Sequence, residues 1–324
     1  MKRLILMIFS AALIFCGCTE ISDSDGQAVP ASASVSVPEA YPVTVDNLTF
    51  NESPKSVGSL SPAVTEMICE LGFGDRLVCR SSYCDYPDEV QSVPEAGSGA
   101  NPDFDRIIEL RPALLITQSP IANKDVSRLS DAGIAVMIIS APSSVDELYE
   151  MYEKLSLIFS GSLDGKELAE NALSDLRTAI NSANGSCESL IFIMNTAEDG
   201  FMAATGDTFA GDYISCFGKN TAAAKTGYFI TAEELISADP QVIFLAHPLE
   251  SGDIDPEVAS QLSAFENGNV YVIDGSLMER PTSRLAGITH SISDTVREDT
   301  GGSRFSEGYA EIPAQTSESS EASE

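Results

Sequence analysis

Tryptophan is missing altogether, and histidine occurs only twice in 324 residues. Without tryptophan, tyrosine is left to offer a flat apolar face with a polar tip. A receptor for bare zinc or manganese needs several imidazoles and carboxylates to converge, and only His247 and His290 exist. Basic residues are also scarce: 18 stand against 49 acidic ones, a net charge of -31. That balance argues against a nucleic-acid partner and suits solubility at a cell surface. There is no G-x-S-x-G elbow, H-E-x-x-H helix or Walker A loop, so a surface α/β hydrolase has no visible machinery and no enzymatic activity is expected. Once Cys16 and Cys18 are set aside, five cysteines remain: Cys69, Cys79, Cys84, Cys187 and Cys216. An odd number cannot all pair within one chain, and none has zinc-finger spacing. They read mostly as small buried apolar residues, and no metal site is expected.

The ends of the chain set its compartment. Lys2 and Arg3 precede an apolar run from Leu4 to Phe15, too short to span a bilayer comfortably, so residues 1–17 read as a secretory signal. The segment Phe15-Cys16-Gly17-Cys18 resembles a lipoprotein signal box, with Cys18 as the lipidated residue and Gly17 before the cleaved bond. The expected location is therefore extracytoplasmic, anchored to the membrane through Cys18. Residues 18–40 lack periodicity and read as a flexible spacer; residues 299–324, ending in "TSESSEASE", read as a disordered acidic tail.

The body carries an internal echo. "PDFDRIIELRPALLIT" (Pro102–Thr117) returns as "ITAEELISADPQVIFL" (Ile230–Leu245). Asp105 stands seven positions before Pro112, and Glu233 seven before Pro240. Each copy reads as a short amphipathic helix, a proline that stops it, and a buried strand. In "SVGSLSPAVTEMICELGFGDRLV", Ser61 and Pro62 open a helix that Gly72 can end, and Thr231 with Glu234 spells a capping box. Strands alternating with helices predict α/β lobes with mostly parallel sheets. From Leu163 to about Ala183 one face is apolar and the other charged, giving a rod of ~30 Å that can cross between lobes. The expected organisation is an N-terminal lobe over 41–161, an interlobe helix over 162–184 and a C-terminal lobe over 185–298.

This ordered set of segments, with "SSYCDYPDEV" and "GSLMERPTSRL", resembles the cobalamin and iron-siderophore (or haem) substrate-binding proteins of bacterial ABC importers. The resemblance implies two Rossmann-like lobes joined by a single long helix, with ligand in the cleft between them. The transported ligand would be a ferric chelate, haem or corrinoid, and no resident cofactor is expected. Tyr83 matches a tyrosine that contacts cobalamin in such receptors, and Ser276, Leu277, Met278, Glu279 and Arg280 match a ligand-lining segment. Tyr86, Tyr213 and Tyr228 are further candidate contacts. Partners implied are a permease dimer with its ATPase subunits, met by a monomeric receptor. Asp105 and Glu233 fall where the family docks onto permease arginines, although the family usually has Glu where Asp105 stands. The same acids also suit the first turn of a helix on dipole grounds alone.

Overall fold

In the computed structural model, residues 40–247, 254–299 and 310–311 are described. The signal segment, Cys18 and nearly all of the spacer and of the acidic tail lie outside them. The first element is a hairpin that no sequence pattern foretold, β1 (Val43–Val45) and β2 (Leu48–Phe50). The expected alternation follows: β3 (Val57–Ser59), α1 (Pro62–Glu70), β4 (Leu77–Arg80), α2 (Phe104–Leu110), β5 (Leu114–Thr117), α3 (Asn123–Asp131) and β6 (Ala135–Ile138). These strands make a four-stranded sheet ordered β4-β3-β5-β6, parallel throughout. The side chain of Ser61 accepts from the Val64 amide with Pro62 in the first turn, and Gly72 follows at φ +84, so α1 starts and stops as expected.

The helical segment α4 (Val145–Ala183) is interrupted at Gly161, where φ is 76 and ψ -175. Its halves, 145–160 and 162–183, fold back on each other. The Arg177 guanidinium lies 4.1 Å from the centroid of the Tyr149 ring, and a Cβ on Gly165 would come within 3.1 Å of the Leu157 backbone. Only glycine fits the reversal, because a Cβ there would stand 2.5 Å from the Ala40 carbonyl at a left-handed φ. The chain around 40–53 clasps this turn. Ser162 N–H donates to the Ala40 carbonyl (2.8 Å), Tyr41 O–H to Ile158 (2.9 Å) and Ser53 O–H to Phe159 (2.6 Å), which caps carbonyls a helix end leaves open. The second half, about 33 Å long, is the rod between the lobes.

The second lobe comprises β7 (Ser189–Ala197), β8 (Gly200–Ala203), α5 (Phe209–Ile214), β9 (Lys219–Asn220), β10 (Phe229–Thr231), α6 (Ala232–Ala238), β11 (Val242–Leu245), α7 (Pro256–Ala259), α8 (Ser263–Glu266), β12 (Val270–Val272), α9 (Ser276–Glu279), α10 (Leu285–Asp299) and β13 (Ala310–Glu311). Its sheet runs β10-β8-β7-β11-β12-β13, with β9 also beside β7; only the β7-β8-β10 edge is antiparallel. The echoed units occupy the same place in each lobe. β5 and β11 are interior strands, and each is preceded by a seven-residue helix ended by a left-handed residue, Arg111 (φ 51) or Asp239 (φ 37), just before the proline. The backward clash of a proline ring disfavours right-handed α at the preceding residue, so the stop falls one position earlier than the proline itself.

Side-chain alternation along these strands divides the core. Leu114 and Ile116 in β5, and Val242 and Phe244 in β11, join one apolar cluster that continues through Leu155, Leu173 and Leu176 of α4. Leu115 packs with Ile107 of α2 on the outer face of the first sheet, and Ile243 packs with Leu235 of α6 on that of the second. The lobes therefore share one continuous hydrophobic interior.

Candidate functional site

Two segments meet between the lobes, each at the carboxyl end of a sheet, the side on which open α/β sheets hold ligands. The first is the loop after β4. Arg80 is 7% exposed and organises it, donating to the carbonyls of Val93 (3.0 Å) and Ser81 (3.0 Å) and pairing with Glu95 (3.1 Å). Cys84 turns inward beside Thr65 (3.1 Å), which leaves its neighbour Tyr83 63% exposed and Tyr86 half out. The second segment, Ser276–Arg284, follows β12.

The segments are joined across the cleft. Arg280 donates to Asp85 at 2.9 Å. Arg284 pairs with Glu66 of α1 at 3.1 Å and lies 3.9 Å from the Tyr86 ring centroid, so one guanidinium meets a carboxylate and an aromatic face together. Thr282 O–H also donates to Glu66 (3.4 Å). One helical turn along, Glu70 accepts from Tyr152 O–H, whose oxygen accepts the Ser283 amide at 2.8 Å. Burial pushes the carboxyls of Glu66 and Glu70 above the usual range, against the lowering pull of Arg284 on the first and of Tyr152 on the second. The arrangement has polar edges, exposed tyrosine rings and a guanidinium at its mouth. The thiol of Cys84, beside Thr65 in this loop, is pushed up by burial.

A family model described as "Periplasmic binding protein" matches residues 57–277. The chain belongs to the periplasmic binding protein family. Among curated relatives, it is 26% identical over 304 residues to the uncharacterized ABC transporter substrate-binding lipoprotein YvrC of Bacillus subtilis strain 168, covering 90% of this chain and 95% of that protein. Among solved structures, it resembles the periplasmic vitamin B12 binding protein BtuF of Vibrio cholerae with a TM-score of 0.60 at 22% identity, covering 76% of this chain and 98% of that one. The periplasmic haem binding protein HutB of Vibrio cholerae gives a TM-score of 0.62 at 19% identity, covering 75% and 97%. Family membership makes this periplasmic binding protein a non-enzymatic, extracytoplasmic solute receptor, and its α/β lobes bridged by α4 are those expected from the sequence.

Not every residue singled out in the sequence lies at the cleft surface of this binding protein. Arg280 reaches Asp85 in the loop that carries the exposed Tyr83 and Tyr86, and Tyr86 meets Arg284. In α9, Ser276 and Glu279 point outward, whereas Leu277 (6% exposed) and Met278 (5%) turn into the core, because a single amphipathic turn must bury one side. Tyr213 corrects an expectation: it is fully buried, stacked with Phe209 (6.2 Å), edge-on to Phe217 (5.9 Å) and hydrogen-bonded to Thr289 (2.7 Å). Tyr228 is 44% exposed at the start of edge strand β10. Asp85, Glu66, Thr282 and Arg284 escaped the sequence reading.

Asp105 and Glu233 each take the second position of their helix, α2 and α6, and both are exposed. The start of α2 lies at the carboxyl end of the first sheet, since Asp103 N–H bonds Ala96 and Ala96 N–H bonds Arg80 at the end of β4. In the second lobe Thr231 pairs with Gly200, beyond Ile193, the last β7 residue in register with β11, so α6 also starts on the carboxyl side. Asp105 forms an ion pair with Arg128, while Glu233 has no ion pair among the described residues. The capping box predicted for Thr231 and Glu234 is present.

Proposed function

We propose that this receptor is lipid-anchored, captures a metal chelate or corrinoid (an iron-siderophore, haem or cobalamin) and hands it to an ABC importer permease dimer driven by its ATPase subunits. The observation that carries the ligand reading is that Arg280 reaches across to Asp85, in the loop that also exposes Tyr83: a flat ring to lie on a macrocycle or catecholate and a fork of donors for its acid groups. The names of relatives, a B12-binding protein and a haem-binding protein, support the same class. On this reading the Arg280–Asp85 bridge opens as ligand enters. The metal-ion alternative has little to stand on: no group of three or more His, Cys, Asp or Glu able to hold an ion occurs among the described residues.

A melting panel of corrinoids, haem and ferric siderophores tests this. A true ligand at about a hundred times its dissociation constant stabilises by ~2.7 kcal/mol, several degrees in melting temperature. Tyr83→Ala and Arg280→Ala should each weaken binding roughly tenfold, about 1.4 kcal/mol. The unliganded protein should melt nearly as before, since surface ion pairs such as Arg280–Asp85 contribute ~0–1 kcal/mol. Wild-type affinity in both variants would remove Tyr83 and Arg280 from the site. The anchor has its own test. With Cys18→Ala the protein should leave the detergent phase and appear in the medium, and mass spectrometry of the wild type should find a diacylated Cys18 at the mature N-terminus. A lipid-free N-terminus elsewhere would end the anchoring claim.

A further inference from the structure

A cavity of about 350 Å³ opens between the two halves of α4 and α5. That is the small end of the range for ligand pockets, ~300–1,000 Å³. Its most unusual resident is Arg177. Its guanidinium carbon stands over the Tyr149 ring, yet Nε is buried without a hydrogen-bond partner among the described residues. An orphaned buried donor costs free energy, and stacking alone leaves the edge of the fork unused. Asn181, one helical turn further on, also lines the cavity.

The cavity is not purely cationic. Asp146 and Asp212 line its other side. One oxygen of Asp212 accepts the Val145 amide at 2.8 Å, which leaves its second oxygen available. Ile180 supplies an apolar wall, and the Cys216 thiol, pushed up to about 12 by burial, adds no charge. A bare anion would meet two carboxylates here, and a bare cation would meet Arg177. We infer that the cavity is a second binding site for a small zwitterion of the free amino-acid class, its carboxylate on the fork of Arg177, its ammonium toward Asp146 and Asp212, and a short apolar side chain over Ile180. An acceptor in the plane of the guanidinium completes the geometry that Tyr149 preorganises. Because the Val145–Asp212 bond ties the helix following the first sheet to the second lobe, an occupant would touch both lobes.

Leucine is the probe, with acetate and isobutylamine carrying one charge each. Leucine at millimolar concentration should raise the melting temperature of the mature protein and give a saturable calorimetric titration; the single-charge probes should do neither. Arg177→Gln should weaken leucine binding at least tenfold and Asp146→Asn at least threefold, while Asp146→Asn melts unliganded as wild type does. A melting temperature unmoved by leucine overturns the proposal. So does an equal shift with acetate alone, which would mark a plain anion site, or a wild-type response from both variants, which would leave Arg177 as packing for Tyr149.

Discussion

Reversing both pseudo-symmetric acids, Asp105→Lys with Glu233→Lys, is expected to reduce capture of the ligand-loaded receptor by its permease at least a hundredfold, about 2.7 kcal/mol, without changing ligand affinity. We propose that each carboxylate at the second position of its helix docks onto a permease arginine, so that the substitution turns attraction into like-charge repulsion. Two related acids on two lobes suit a partner with two-fold symmetry. The loss should fall mainly on association, and the wild-type rate should itself drop with salt, since screening shortens to ~8 Å at physiological ionic strength. The single changes should differ. Asp105 is already paired with Arg128 and has the shorter reach, whereas Glu233 has no competing ion pair among the described residues, so Glu233→Lys should do more damage. If the acids serve only their helix dipoles, the double variant docks normally and instead loses fold stability, about 0.3–1 kcal/mol for each exposed first-turn charge. Permease binding and melting temperature, measured on the same preparation, decide between the two.

The second large effect concerns Arg284. Arg284→Met should destabilise the unliganded fold by about 2–3 kcal/mol at neutral pH, because it leaves the nearly inaccessible Glu66 with only Thr282 as partner. The figure is set below the ~3–5 kcal/mol of a fully buried broken pair because Arg284 itself is 37% exposed. The deficit should depend on pH in a definite direction. Burial already raises the Glu66 pKa against the pull of Arg284, and losing that cation raises it further. A carboxyl whose folded pKa lies above its unfolded value of ~4.3 contributes stability in its neutral form, fully present below the unfolded pKa and lost as pH rises through the folded one. Denaturant melts of variant and wild type should therefore converge near pH 4 and diverge toward pH 7. A deficit constant across that range would assign the loss to packing of Arg284 on Tyr86 instead.

What could be read in advance follows from how local each signal is. The echoed helix–proline–strand units were legible because propensity, capping and apolar period act within one segment, and α2 with β5 and α6 with β11 repeat that segment nearly unchanged. The β1–β2 hairpin and the strands β8 and β10 were not, being three or four residues long and placed by the neighbours they pair with. Tyr213 shows the limit for sites. A tyrosine in a short helix carries no local mark of exposure, and stacking with Phe209 and Phe217 buries it. Glu66 and Glu70 did leave a trace, two acids one turn apart on an otherwise buried helix. The cationic partner of Glu66, Arg284, lies 218 residues away, and Glu70 meets the Tyr152 hydroxyl; only the fold brings either pair together.

The interior shared by both lobes also bears on the calorimetry of capture. Receptors that swing wide on a bare hinge hide fresh apolar surface when they shut, and that area appears as a large negative heat-capacity change. Here Leu155, Leu173 and Leu176 already fill the space between the sheets, and Gly161 is clasped by the chain near Ala40. Little nonpolar surface remains for closure to cover. The enthalpy of binding should therefore vary only gently with temperature, by an amount set by the surface of the guest rather than by movement of the host.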